Sequence, residues 1–78
     1  MNINVLISEI EIEEITIQSV IASCRTQEQL QVTGNWVTNL YNKWINKGLS
    51  LNKKDKPTYS EYLLEKYNIL LNLINKKL

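Results

Sequence analysis

Tyr59 to Leu78, YSEYLLEKYNILLNLINKKL, reads as a helix with a narrow polar side. At about 100° per residue, Glu61, Glu65, Asn68, Asn72, Asn75 and Lys76 fall in one polar stripe roughly 100° wide. Leu63, Leu64, Tyr67, Leu70, Leu71, Ile74 and Leu78 form one broad apolar face. Tyr62, Ile69 and Leu73 form a second, with Lys66 and Lys77 between them. The apolar arc covers roughly 220°, about twice what a helix lying on a core from one side needs. Two partners are therefore expected: the helix is central in the domain, or one face pairs with another molecule. Lys66 and Lys77 are compatible with this, because their stems can lie on apolar surface while the ammonium groups reach water.

Upstream, GLSLNKKDKP (Gly48 to Pro57) is the one clear loop, with Leu49 and Leu51 expected to tuck back and Lys53, Lys54 and Lys56 to project. Pro57 and Thr58 start the last helix, near 58–77, with Thr58-x-x-Glu61 as a capping box. Thr26-x-x-Gln29 is a second box, opening a helix near 27–47. There Leu30, Val37, Leu40, Tyr41 and Trp44 keep helical spacing up to a stop at Lys47-Gly48. Gly34 lies inside this helix at a cost of up to about 1 kcal/mol relative to Ala, so a neighbouring helix is expected to approach closely there. Val32 and Trp36 lie off the main seam, leaving this helix with more apolar surface than one neighbour covers.

The amino-terminal third is ambiguous. In INVLISEIEIEEITI (residues 3–17), Ile3, Leu6, Ile7 and Ile10 follow helical spacing, yet Ile10/Ile12 and Ile15/Ile17 alternate as in a strand. A short helix near 3–10 followed by an irregular or extended piece is expected. Were it a lone strand, it would pair with a copy of itself or with a partner's sheet edge. Thr16 is placed to cap a further helix near 17–24, with Ile17, Val20, Ile21 and Cys24 on one face.

With 78 residues, the chain makes a single domain (1–78), near the size at which one core gives only a few kcal/mol of net stability and self-association helps. Two glycines and one proline leave little turn vocabulary and favour helices over many short strands. The single Cys24 cannot close an internal disulfide. The opening MNINVLISEIEIEE also lacks the basic region and long apolar run of a secretory signal, so a cytoplasmic setting is expected. No apolar run approaches the roughly 20 residues needed to span a bilayer. Net charge is +1, but residues 1–39 carry five acids against Arg25 while residues 40–78 carry eight lysines against three acids. Attraction between the two halves, within or between chains, is the favoured consequence.

Chemistry-bearing patterns are few. The chain has no histidine, the commonest general base and metal ligand, and its one cysteine has no base to activate it. No catalytic residue, metal site or cofactor is expected. Cys24 is expected to be a small buried hydrophobe. Glu9, Glu11, Glu13 and Glu14 read as a solvated acidic face. Lys43, Lys47, Lys53, Lys54 and Lys56 form the only basic patch and carry the alternative of nucleic-acid binding, disfavoured by the near-neutral charge.

Ser23-Cys24-Arg25-Thr26-Gln27-Glu28-Gln29-Leu30, followed by Trp36 and Tyr41, resembles a helix-turn-helix-hairpin pattern of small uncharacterised phage or mobile-element proteins, over about a third of the chain. The opening MNIN-LI-EI looks like the start of a small phage-encoded anti-CRISPR protein over ten residues. Neither resemblance transfers a functional residue.

These features converge on an all-α fold, a small helical bundle built on an antiparallel helix hairpin, with a short amino-terminal segment that is helix or a lone strand. The expected function is a non-enzymatic, self-associating protein-binding module. Val32 and Trp36 of the long helix and Tyr62, Ile69 and Leu73 of the last one are its expected interface. For a phage or mobile-element source, a host or virion protein is the natural target.

Overall fold

Three helices run up, down and up: α1 (Ile3–Ser23), α2 (Gln27–Lys47) and α3 (Lys56–Lys77). The computed structural model describes residues 2–78, and no strand occurs among them. The bundle is elongated, 42 × 17 × 16 Å, as expected of helices of about 30 Å packed side by side. Each contributes one inward row at three- and four-residue spacing: Leu6, Ile10, Ile17 and Ile21 of α1; Leu30, Val37, Leu40 and Trp44 of α2; Tyr59, Leu63, Leu70 and Ile74 of α3. Each side chain so buried contributes about 1.5–3 kcal/mol of transfer free energy.

The last helix touches both others, as its wide apolar arc requires. Toward α2, Tyr67 stacks on Tyr41 with ring centroids 4.3 Å apart, and its hydroxyl lies 3.2 Å from Thr38 Oγ1. Toward α1, Tyr62 donates to Glu11 and Lys66 donates to Glu14. Lys77 Nζ donates to the carbonyls of Ile21, Ala22 and Cys24 at 2.9, 2.7 and 3.1 Å. The last turn of α1 has no basic residue of its own, so Lys77 supplies the positive charge that its exposed carbonyls favour.

Charge asymmetry along the sequence is resolved inside the chain. Three acids of α1 meet three lysines: Glu13 with Lys43 at 3.6 Å, Glu9 with Lys47 at 3.1 Å, and Glu14 with Lys66 at 3.4 Å. The first two match the antiparallel register of α1 on α2, and the third the parallel register of α1 with α3, which the buried rows set. Glu14 is nearly fully buried at a seam position, and its Oε2 is one of two buried side-chain polar atoms without a hydrogen-bond partner among the described residues; the other is the Trp44 indole N–H.

Several sequence expectations are corrected. Residues 3–17 are neither a short helix with an extended tail nor a lone strand: α1 is one continuous helix through Ser23. It is capped by Asn2, whose side chain accepts from the Asn4 N–H at 2.8 Å. Thr16 caps nothing; it sits mid-helix and donates to Ile12 O. The Thr26/Gln29 capping box forms reciprocally, but the Thr58/Glu61 box does not. Helix α3 begins two residues earlier at Lys56, because a turn in which the Asp55 and Lys56 N–H groups bond to Asn52 O starts it before Pro57. Of the two loop leucines, Leu51 is buried and Leu49 is exposed. Cys24 is half-buried rather than buried, its Sγ 3.3 Å from Val20 O and 3.4 Å from Thr33 Oγ1.

Close helix approach is found at Gly48 rather than Gly34. A Cβ at Gly34 would meet only Ile74 Cδ1, at 4.0 Å, an ordinary contact. At Gly48 it would fall 2.6 Å from Tyr59 Cδ2, within the ring's own space. Gly48 has φ of −75°, so packing of Tyr59, not backbone conformation, excludes a side chain there.

Candidate protein-interaction surface

The three helices differ on the sides turned away from the core. On α2 that side is Asn35, Asn39, Asn42 and Asn46; on α3 it is Glu61, Glu65, Asn68 and Asn72, and all eight are exposed. Both are ordinary solvated faces. Helix α1 instead turns outward a stripe of Val5, Ser8, Ile12, Ile15, Ser19 and Ala22, at spacings of three and four. Val5 is 52% exposed, and Ile12 and Ile15 are each 67% exposed. A helix apolar on two opposite faces gains by burial on both, yet only one has a partner in the chain.

The expected interface residues flank this stripe from both sides. On α2, Trp36 and Val32 lie two and three helical turns along the row of Lys43, which faces Glu13 of α1, so they occupy the α1 edge of α2. The register set by the Lys43 and Lys47 pairs brings Trp36 level with Val20. On α3, Ile69 and Leu73 continue the rows of Tyr62 and Lys66, which face Glu11 and Glu14, so they occupy the α1 edge of α3. Two patches identified on separate helices thus border the same third helix. Val32 (64%), Trp36 (39%) and Ile69 (37%) are exposed, whereas Tyr62 and Leu73 are half-buried and used largely within the chain. The Tyr62 ring lies beneath Lys66 Nζ at 5.3 Å from its centroid. Burial, then the facing Glu11 carboxylate, push its phenol up to about 12.

Sequence reasoning did not single out Val5, Ile12 and Ile15. A helical projection of residues 3–23 as one helix would have separated Ile10 and Ile17 on one face from Ile12 and Ile15 on the other.

The five lysines of the basic patch are divided. Lys43 and Lys47 pair with Glu13 and Glu9 on the α1 side, while Lys53, Lys54 and Lys56 are exposed at the α2–α3 turn. Pairing with carboxylates lowers the field that the first two offer a phosphate backbone. Between the end of α1 and the start of α2 lies a shallow groove lined by Val20, Cys24, Val32 and Thr33. Among the described residues, no helix is long and apolar enough to cross a membrane. Comparison of the chain with protein-family models, curated proteins and solved structures finds no match.

Proposed function

We propose that the chain is a non-enzymatic, self-associating protein-binding module whose binding face is the outer side of α1, bordered by Val32 and Trp36 of α2 and by Ile69 and Leu73 of α3. The observation that supports this is the contrast among the three outward faces: Asn and Glu on two helices, Val and Ile on the third. Of the exposed large hydrophobic side chains, Val5, Ile12, Ile15, Val32, Trp36 and Ile69 lie on this side, while Ile45, Leu49, Leu64 and Leu78 lie elsewhere; such a cluster rimmed by polar residues is the usual composition of a protein interface. A reducing, cytoplasmic setting belongs with this reading, which leaves Cys24 a free thiol. An accessory role in a phage or mobile element, acting on a host or virion protein, is the context that the resemblance over residues 23–41 implies.

A tagged copy of the chain, wild type or Ile12→Lys/Ile15→Lys, tests the reading as bait for an untagged copy and for extract of the source cells. The substitutions lie on an exposed face and are expected to leave the helical circular dichroism unchanged. Loss of specific capture with the variant is the expected result. Capture that is equal for the two baits in both arms overturns the assignment of the face.

A further inference from the structure

The outer stripe of α1 is self-complementary about a point between residues 13 and 14. Turned end for end, Val5 falls opposite Ala22, Ser8 opposite Ser19, and Ile12 opposite Ile15, and the same three contacts recur on the other half. We infer that this face binds a second copy of itself, α1 against α1 in antiparallel orientation about a two-fold axis, with Ile12 and Ile15 of both chains at its centre. The inference rests on the protein-binding reading above and names its partner.

Three features favour this occupant. Spacing of three and four residues over the stripe is the seam of a left-handed helix pair, and antiparallel seams match residues of alternate rows as they are matched here. Layer sizes are evened: Val5 fills against Ala22 at each end, whereas a parallel pair would stack Ser19 on Ser19 and Ala22 on Ala22, leaving one end without a large side chain. Charge is tolerated as well. Flanking the seam, Glu11 falls beside Gln18 of the second copy on the α3 side and Glu9 beside Thr16 on the α2 side, so the nearest neighbour of each acid is uncharged, and Glu9 already carries Lys47. Antiparallel helices also set their macrodipoles head to tail. Small side chains at Ser8, Ser19 and Ala22 permit close approach but limit the apolar area, so dimerisation in the micromolar range is expected.

Disulfide trapping reads the orientation. In a Cys24→Ser background, Ser8→Cys and Ser19→Cys are made separately. In the antiparallel pair each introduced thiol lies roughly 16 Å along the axis from its own copy, too far to bridge, while the thiol introduced at position 8 of one chain meets the one introduced at position 19 of the other. Oxidation of the mixture is expected to give the cross-linked heterodimer, and each variant alone to stay uncross-linked. Ile12→Lys, present twice at the centre, is expected to weaken the dimer by about 100-fold or more in a light-scattering concentration series. Cross-linking of each variant with itself would mean parallel pairing and overturn the inference. A wild-type mass of one chain at every concentration would overturn it too. Parallel pairing leaves the proposed function whole; a monomer removes self-association from it and leaves binding of another protein standing only if capture still depends on Ile12 and Ile15, and loss of that dependence removes the reading itself.

Discussion

Gly34 and Gly48 lie fourteen residues apart, the first inside α2 and the second at its end, and they respond oppositely to a methyl group. Gly34 has an ordinary φ and a nearest neighbour 4.0 Å from the new Cβ, so Gly34→Ala removes the helix penalty of glycine without a clash. It is expected to stabilise the fold by up to about 1 kcal/mol in urea unfolding. At Gly48 the methyl displaces the Tyr59 ring, whose hydroxyl donates to Trp44 O at 2.8 Å, and Gly48→Ala is expected to cost about 1–3 kcal/mol. Tyr62 sets a pH dependence of its own. Its hydroxyl donates to Glu11 Oε1 at 3.3 Å, Glu14 and Glu65 add negative potential, and Lys66 sits over the ring. Folding keeps the proton on until about 12, whereas the unfolded chain releases it near the ordinary value of about 10. Between those values the unfolded state binds fewer protons, so the contribution is full below the lower value and lost as pH rises through the window. Tyr62→Phe is expected to lose stability less steeply than wild type over that window, as followed by chemical unfolding at several alkaline pH values.

At the scale of the element, α1 and α3 pose the same problem with opposite legibility. Helix α3 was readable because Glu61, Glu65, Asn68 and Asn72 form one unbroken polar stripe, and its two apolar faces correctly implied two neighbours. In α1 two apolar rows lie on opposite sides, so along the sequence Ile10/Ile12 and Ile15/Ile17 alternate with polar residues as in a strand. The helical period shows only when inner and outer rows are separated. The Thr58 box failed for a different reason, since the Asn52 to Asp55 turn starts the helix before Pro57 and leaves Thr58 inside the first turn. Between α1 and α3 lies the Glu14–Lys66 pair, with the lysine side chain 21% exposed and the carboxylate side chain 11%. Lys66→Met strands a buried carboxylate and is expected to cost about 3–5 kcal/mol, while Glu14→Leu leaves an ammonium that can bend to water and costs less. The double substitution is expected to recover most of the loss or exceed wild type, a coupling that a double-mutant cycle measures directly.

Over the whole molecule, the apolar surfaces left by small size and the charges left by uneven composition are handled separately. Three of the four acids of α1 are matched by lysines of α2 and α3 within the chain, and the fourth, Glu11, accepts from Tyr62, in keeping with the register of the three helices. Among the described residues, the outer apolar residues of α1 have no such partner, because in this bundle α2 and α3 both pack on the face that carries Ile10 and Ile17. A chain of this size gains only a few kcal/mol from one core, so the proposed covering of that face by a second copy would add a large fraction of its stability. On the proposed pairing, stability depends on concentration, because anything that binds only the folded state raises the melting temperature by mass action. Above the dissociation constant, each tenfold rise in concentration adds about 1.4 kcal/mol per dimer, half of it per chain, which for a domain of this size is roughly 3–5 °C. Wild-type protein is expected to show that slope in circular-dichroism melts over two decades of concentration. Ile12→Lys is expected to melt at one temperature throughout, near the dilute limit of the wild type, because its substituted side chain is exposed in the single chain and takes nothing from the core. A wild-type melting temperature independent of concentration would mean that the outer face of α1 adds nothing to folding, and that its apolar residues await a partner other than this chain.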